Sequence, residues 1–181
     1  MVDPSSPFAV DTARFAIRAA TLADAEAIAR VYVDSWRSSY RGILPDALLD
    51  RIDVGQRTAS RRRILRDAAG LNLVAYETTH RELVGLCDAG PSRRPGPWAG
   101  EVYAIYLLHH ARRHGLGRDF FARVMAWLRA RQMTSMIVWV LENNPHARRF
   151  YEALGGRVGP RVSSRLGDVA VVEVAYVWDR L

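Results

Sequence analysis

The apolar positions change period along the chain, and the changes mark its elements. Phe15-Ala16-Ile17-Arg18 reads as a short strand. Ala25, Ile28, Ala29, Tyr32 and Trp36 then recur at helical spacing behind an N-terminal cap signal, Thr21 followed by Asp24, which predicts an amphipathic helix to about Tyr40. Gly42 and Pro45 end it and open a second helical region, 45–69, closed by Gly70. The pattern then turns strand-like. Residues 71–77 and 82–89 are apolar runs joined by Thr78-Thr79-His80-Arg81, as in a hairpin, and 90–97 is a loop by composition and the expected place of mobility. Residues 101–108 are apolar on both faces, which predicts a central strand. A helix over 115–131 follows, with Phe121, Val124 and Leu128 inward, then an apolar strand over 136–141 and a short helix over 145–154. Two last strands, 156–163 and 169–178, flank a Leu166-Gly167-Asp168 turn. This order predicts an α/β fold, a mixed sheet with helices on its faces.

The 181 residues suffice for one well-buried core, so residues 15–181 are expected to form a single domain behind a Pro/Ser-rich tail, residues 1–14. No apolar stretch approaches the roughly 20 residues of a membrane span. The first residues lack the basic patch and apolar run of a secretory signal, so the expectation is a cytoplasmic protein without a membrane partner. A single cysteine, Cys87, excludes intramolecular disulfides and a cysteine-rich zinc site; no metal is expected. The formal charge of +7 raises an RNA-binding reading. Every cation is arginine and none lysine, which reads as a coding bias rather than phosphate contact site by site. The strands also look buried, whereas an RNA-binding sheet exposes aromatics among its arginines, so no nucleic-acid partner is expected. The cluster Arg57, Arg61, Arg62, Arg63 and Arg66 falls on one broad side of a helix and reads as a solvated face.

Two segments after central strands carry chemistry. In Arg112-Arg113-His114-Gly115-Leu116-Gly117, glycines at a helix start let backbone approach a ligand, and the free N–H groups there favour a phosphate. Arg112, Arg113 and Arg118 add charge for the same anion. The segment lacks the third glycine of a dinucleotide fingerprint and the ending of a P-loop. In the second segment, residues 143–156, Asn144-Pro145 is an N-cap with proline in the first helical position and Gly155 is a C-terminal stop.

Together, Arg-x-x-Gly-x-Gly after one strand and Asn-x-x-Ala-x-x-Phe-Tyr-Glu-x-Leu-Gly after the next resemble the GNAT acetyltransferase superfamily, over about residues 15–178. The resemblance implies the GNAT acyl-CoA N-acyltransferase fold, about seven strands flanked by about four helices, and an acetyl-CoA-dependent N-acetyltransferase acting on a primary amine of a small molecule or peptide. It implies that the backbone of Leu107 and Leu108 holds the pantetheine arm, with Leu107 N–H facing the thioester oxygen. Arg112, Arg113, His114, Gly115, Leu116, Gly117 and Arg118 would hold the diphosphate, and Asn144, Ala147 and Tyr151 would approach the pantetheine and its sulfur. His109 and Arg113 stand where the family often has proline and glycine. Homodimers are frequent in the family.

A protonated amine of reference pKa ~10.4 costs roughly 4 to 5 kcal/mol to make nucleophilic at neutral pH, so a base is useful. Glu101 stands where the family's histone acetyltransferases carry a glutamate base; the other reading is a strand-end residue facing solvent. Tyr151 is the acid for the departing thiolate, or else a packed partner of Phe150. In the family the acceptor site lies between the first two helices and the last hairpin, so the resemblance makes Trp36, Tyr40 and the 161–168 turn candidates to line it, and Trp36 and Tyr40 equally suit one buried helix face. An acyl-CoA-binding module without catalysis is the alternative function.

Overall fold

The computed structural model describes Asp11 and residues 13–181; of the expected tail, residues 1–10 and 12 lie outside the described residues. Arg14 pairs with Glu77, and its carbonyl accepts from Thr78 N–H, so the chain is tied to the sheet just before the first strand. Seven strands, β1 (Phe15–Ala19), β2 (Leu71–Glu77), β3 (Leu83–Pro91), β4 (Gly100–Leu107), β5 (Met136–Leu141), β6 (Arg157–Leu166) and β7 (Val169–Trp178), form one sheet in the order β1-β2-β3-β4-β5-β7-β6. Only β4 and β5 pair in parallel, and the helix between them is the crossover such a pair requires.

The helices are α1 (Ala25–Tyr40), α2 (Asp46–Asp50), α3 (Val54–Asp67), α4 (Leu116–Arg129) and α5 (Pro145–Ala153). Helices α4 and α5 cover one sheet face. Phe120, Val124 and Leu128 of α4 are fully buried there against Val102, Met136 and Val138, each worth about 1.5–3 kcal/mol of apolar burial. On the other face Ile28 and Val31 of α1 pack on Val74 and Leu86.

Three local expectations change. The helical region 45–69 is two helices, because the Asp53 carboxylate accepts from Gln56 N–H at 2.7 Å and caps a new start at Val54. That second helix closes on Ala68 in a left-handed conformation rather than on Gly70. Gly70 serves a close approach instead: a Cβ there would stand 2.6 Å from the Ala89 carbonyl. The final hairpin is longer than predicted, with β6 running to Leu166 and the turn reduced to Gly167-Asp168.

The arginine cluster on α3 is not one solvated face. Arg61 is buried and forms a two-point pair with Asp88 on β3 at 2.7 and 2.8 Å, and Arg57 lies over the Tyr32 ring at 4.5 Å. The pattern of charges on a helix says which residues share a side; it does not say which of them a strand carboxylate will draw in.

Candidate active site

Strands β4 and β5 pair only over Gly100–Met136, Glu101–Ile137 and Val102–Val138. Immediately beyond, the register of β3 on β4 shifts between Asp88 and Ala89, a bulge that re-aims β4, and residues 103–107 part from residues 139–141. Backbone polarity follows from the ladder. Leu108 N–H donates to Val84 carbonyl at 2.8 Å, so in this antiparallel pair Tyr106 also faces β3 while Ile105 and Leu107 aim their N–H and C=O into the gap. Gly85, opposite Leu107, leaves room for the Leu107 side chain, because a Cβ there would lie 2.4 Å from a Leu107 methyl.

The gap is a cavity of about 760 Å³. Leu107, Arg112, Arg113, Gly115, Gly117, Arg118, Asn144, Ala147 and Tyr151 line it, as does Tyr40. Five other site candidates stand off its wall: Leu108, whose N–H is spent on β3; His114, whose ring packs on Phe15 at 5.1 Å; Leu116, a core residue of α4; Trp36; and Glu101. Ser38, Ser39, Tyr106, Trp139 and His146 line it without having been singled out, and so does Phe150, named above only as a packing partner of Tyr151. Phe150 and His146 lie in the 143–156 segment; Ser38, Ser39, Tyr106 and Trp139 become neighbours only through the tertiary fold.

At one end the loop from β4 to α4 bends through a 3-10 turn, His109–Ala111, and two residues of positive φ, Arg113 at 66° and Gly115 at 77°. As a result the N–H groups of Arg113, His114, Gly115, Leu116 and Gly117 find no acceptor among the described residues. Such a row of N–H groups at the positive end of a helix suits a diphosphate. Gly117 is there for packing, since a Cβ would meet the Phe150 ring at 3.0 Å. Arg112 reaches back, donating to Leu107 carbonyl at 3.1 Å and Ser39 Oγ at 2.9 Å, and so ties this loop to the end of α1.

Helix α5 brings Tyr151 up to the gap. Asn144 caps it, its Oδ1 accepting from Ala147 N–H at 3.1 Å, and Pro145 starts it. The Tyr176 hydroxyl, which donates to Glu152 at 2.5 Å and accepts from Arg148 at 3.1 Å, holds the helix to β7. Tyr151 is 6 % exposed, and its hydroxyl makes no hydrogen bond among the described residues. Burial pushes its phenol well up, with Cys87 and Tyr40 adding to the effect, so it is a neutral donor throughout the ordinary pH range.

The other end is aromatic and charged. Trp36 sits 4.7 Å from Tyr40 and 5.5 Å from Tyr32 in a half-buried aromatic stack off the cavity wall, while Tyr40 goes on to the cavity beside Tyr106 and Asn144. Burial pushes the Tyr40 and Tyr106 phenols up. Glu101 does not face solvent: it is 2 % exposed and accepts from Arg93 through the backbone N–H at 2.8 Å and the guanidinium at 2.6 and 3.2 Å. Arg94, next in the same loop, pairs with Glu173 of β7. Of the 161–168 turn, Ser163 and Ser164 line a separate cavity of about 280 Å³ with Ile43 and Leu44, below the α1–α2 connection.

The sheet, parted at one pair of strands beside a row of free N–H groups, matches known proteins. A family model described as the acetyltransferase (GNAT) family matches residues 26–156. The uncharacterized N-acetyltransferase YuaI of Bacillus subtilis (strain 168) is 32 % identical over 166 residues, 91 % of this chain and 93 % of the relative. The PaiA N-acetyltransferase of Thermoplasma acidophilum, solved in complex with coenzyme A, superposes with a TM-score of 0.66 at 16 % identity, covering 88 % of this chain and 97 % of its own. YncA of Salmonella typhimurium, solved with its cofactor acetyl-CoA, superposes with a TM-score of 0.67 at 20 % identity, over 91 % and 92 %. At those identities the two structures speak for the fold, while the family model and the sequence relative speak for the lineage. No helix among the described residues is long and apolar enough to cross a membrane. The chain is an acetyltransferase of the GNAT family.

Proposed function

We propose that the chain transfers the acetyl group of acetyl-CoA to a primary amine by direct attack of the amine on the thioester, at the gap between β4 and β5. The observation that carries this reading is the convergence on one cavity of the Leu107 N–H, the Tyr151 hydroxyl and the row of free N–H groups from Arg113 to Gly117. Acetyl-CoA supplies the acyl group and a thiolate leaving group. Backbone groups of Ile105 and Leu107 take the pantetheine amides as an added strand would, and the 113–117 row with Arg118 takes the diphosphate. Leu107 N–H is preorganised toward the oxygen on which charge develops. Tyr151 donates to the departing sulfur. Its raised pKa makes full proton transfer uphill, so its contribution is a hydrogen bond that strengthens as charge gathers there.

The amine must also lose a proton. We assign this to Glu101, acting through water, with Arg93 as its competitor: three donated hydrogen bonds occupy the carboxylate and must loosen before it takes a proton. Tyr40, Tyr106 and Trp139 wall the acceptor's approach.

Free-thiol release from acetyl-CoA with a panel of amines tests the reading, beside the rise in melting temperature with coenzyme A. Amine-dependent thiol release that falls sharply in Tyr151→Phe supports it. Stabilisation by coenzyme A without turnover on any amine would favour the acyl-CoA-binding module instead. For the base, Glu101→Gln is expected to lower kcat/KM about 100-fold at neutral pH while coenzyme A still raises the melting temperature; an unchanged kcat/KM rules Glu101 out.

A further inference from the structure

Residues 91–99 cross the sheet face on the acceptor side as a strap, closed by Ser92 N–H donating to the Ala99 carbonyl at 2.8 Å. Its second arginine, Arg94, donates to Glu173 at 2.7 Å and stacks its guanidinium on the Trp139 ring at 4.4 Å. A carboxylate and an indole face around one guanidinium make a cation site. Its halves are unequal. Glu173 is fixed on a central part of β7, opposite Leu141, and its side chain is 16 % exposed, whereas the Arg94 side chain is 41 % exposed on a loop with Pro95, Gly96 and Pro97. A half-exposed pair of this kind is worth little by itself, but a largely desolvated carboxylate needs some cation. Exchanging one cation for another preserves that compensation.

The site also adjoins the gap. Trp139 lines the cavity, its Nε1 is buried without a partner, and the charge of Glu173 is felt by the Tyr40 phenol on the same wall. Arg93, the neighbouring cation, is committed to Glu101, and Arg112 to Leu107 and Ser39. Resting on the transferase reading above, we propose that Glu173 and the Trp139 face bind a second ammonium group of the acceptor, which displaces Arg94, so that the acceptor is a diamine or polyamine. Glu173 lies on β7, across β5 from β4, so the cation site and the Leu107 N–H stand on opposite sides of β5, within reach of the two ends of one flexible acceptor.

Three acceptors of equal chain length isolate the second charge: 1-aminobutane, 1,4-diaminobutane and 4-aminobutanoate, each measured by free-thiol release from acetyl-CoA. The wild type is expected to favour 1,4-diaminobutane over 1-aminobutane in kcat/KM by about tenfold or more. Glu173→Gln should bring that ratio toward one, and Arg94→Ala, which removes the internal competitor, should lower KM for 1,4-diaminobutane more than for 1-aminobutane. Equal use of the two amines by the wild type, or a preference that survives Glu173→Gln, overturns the proposal. So does a preference for 4-aminobutanoate that Arg94→Ala abolishes, for Arg94 would then be an anchor for an anion. Calorimetric titration of 1,4-diaminobutane into the protein with coenzyme A separates the two levels. Binding lost in Glu173→Gln supports the cation site even without thiol release, which would count against the transferase reading alone; thiol release without charge preference counts against the site alone. Melting curves check that each variant is folded.

Discussion

The two ends of the cavity are made in different ways. The donor end is backbone: five N–H groups in sequence, a left-handed glycine, and ladder groups of β4 turned outward where its neighbour departs. The acceptor end is side chains from distant elements, with Arg93 on Glu101, Arg94 on Glu173 and Trp139, and Tyr40 against Tyr106. A ligand common to a whole family can be held by groups every residue type carries, whereas a variable partner has to be read by side chains. Local geometry therefore governs the first site, and long-range pairing governs the second.

Cutting a long-range pair on the acceptor face should cost most. Arg61→Ala leaves the Asp88 carboxylate buried alone, a loss of about 3–5 kcal/mol, read as a fall of about 10 °C in melting temperature. A fall under about 2 °C would mean water reaches Asp88. Next in size, Tyr151→Phe should lower kcat about 100-fold while coenzyme A still raises the melting temperature. The upward push on the phenol has a sign that can be read: a donor whose pKa is raised stays protonated as pH passes ~10, so the wild-type rate should show no loss of Tyr151 function up to that pH. A basic limb below pH 9 that vanishes in Tyr151→Phe would contradict this. Gly115→Val tests the donor end, where a β-branched residue at φ 77° is strained by about 1–3 kcal/mol; the expected result is an acetyl-CoA KM raised about tenfold, with the acceptor KM little moved.

The smallest effect belongs to a pair that is local in sequence. Arg18 holds the Asp24 carboxyl down to about 2, through a two-point contact at 2.7 and 2.8 Å, aided by Thr21. A depressed carboxyl stabilises the fold above its unfolded pKa near 4, and that stability drains away as pH falls through about 2. Asp24→Asn should therefore lower the melting temperature by about 2 °C at pH 6, with the difference from wild type closing toward pH 2. A gap that stays constant with pH would assign the effect to the cap rather than the charge.

The donor end was legible because its elements are punctuated locally. Gly115 and Gly117 open a helix, and Asn144-Pro145 opens another within a few residues, so the spacing of the motif is the spacing of the site. The error at Leu108 is instructive in the same terms: adjacent strand residues face opposite ways, and only the register with Val84 tells which of the two is free. For the acceptor end nothing local gave notice. Arg93 and Arg94 sat in a loop legible by composition alone, Glu173 is one charge in an otherwise apolar strand, and Glu101 admitted a solvent-facing reading although it is buried under Arg93. Residues 94 and 173 become neighbours only when β4, β5 and β7 are laid side by side.

The sequence by itself determined the order of elements, the mixed sheet, the family and the glycine-bearing turn at the start of α4, because periodicity, capping and glycine conformations are short-range matters. The tertiary structure alone decided which strands part, which face of β4 is free, that Arg61 is a core residue, and which carboxylates the strap arginines cover. Those depend on strand register and on charges meeting across the sheet, energies that exist only once the chain has closed on itself.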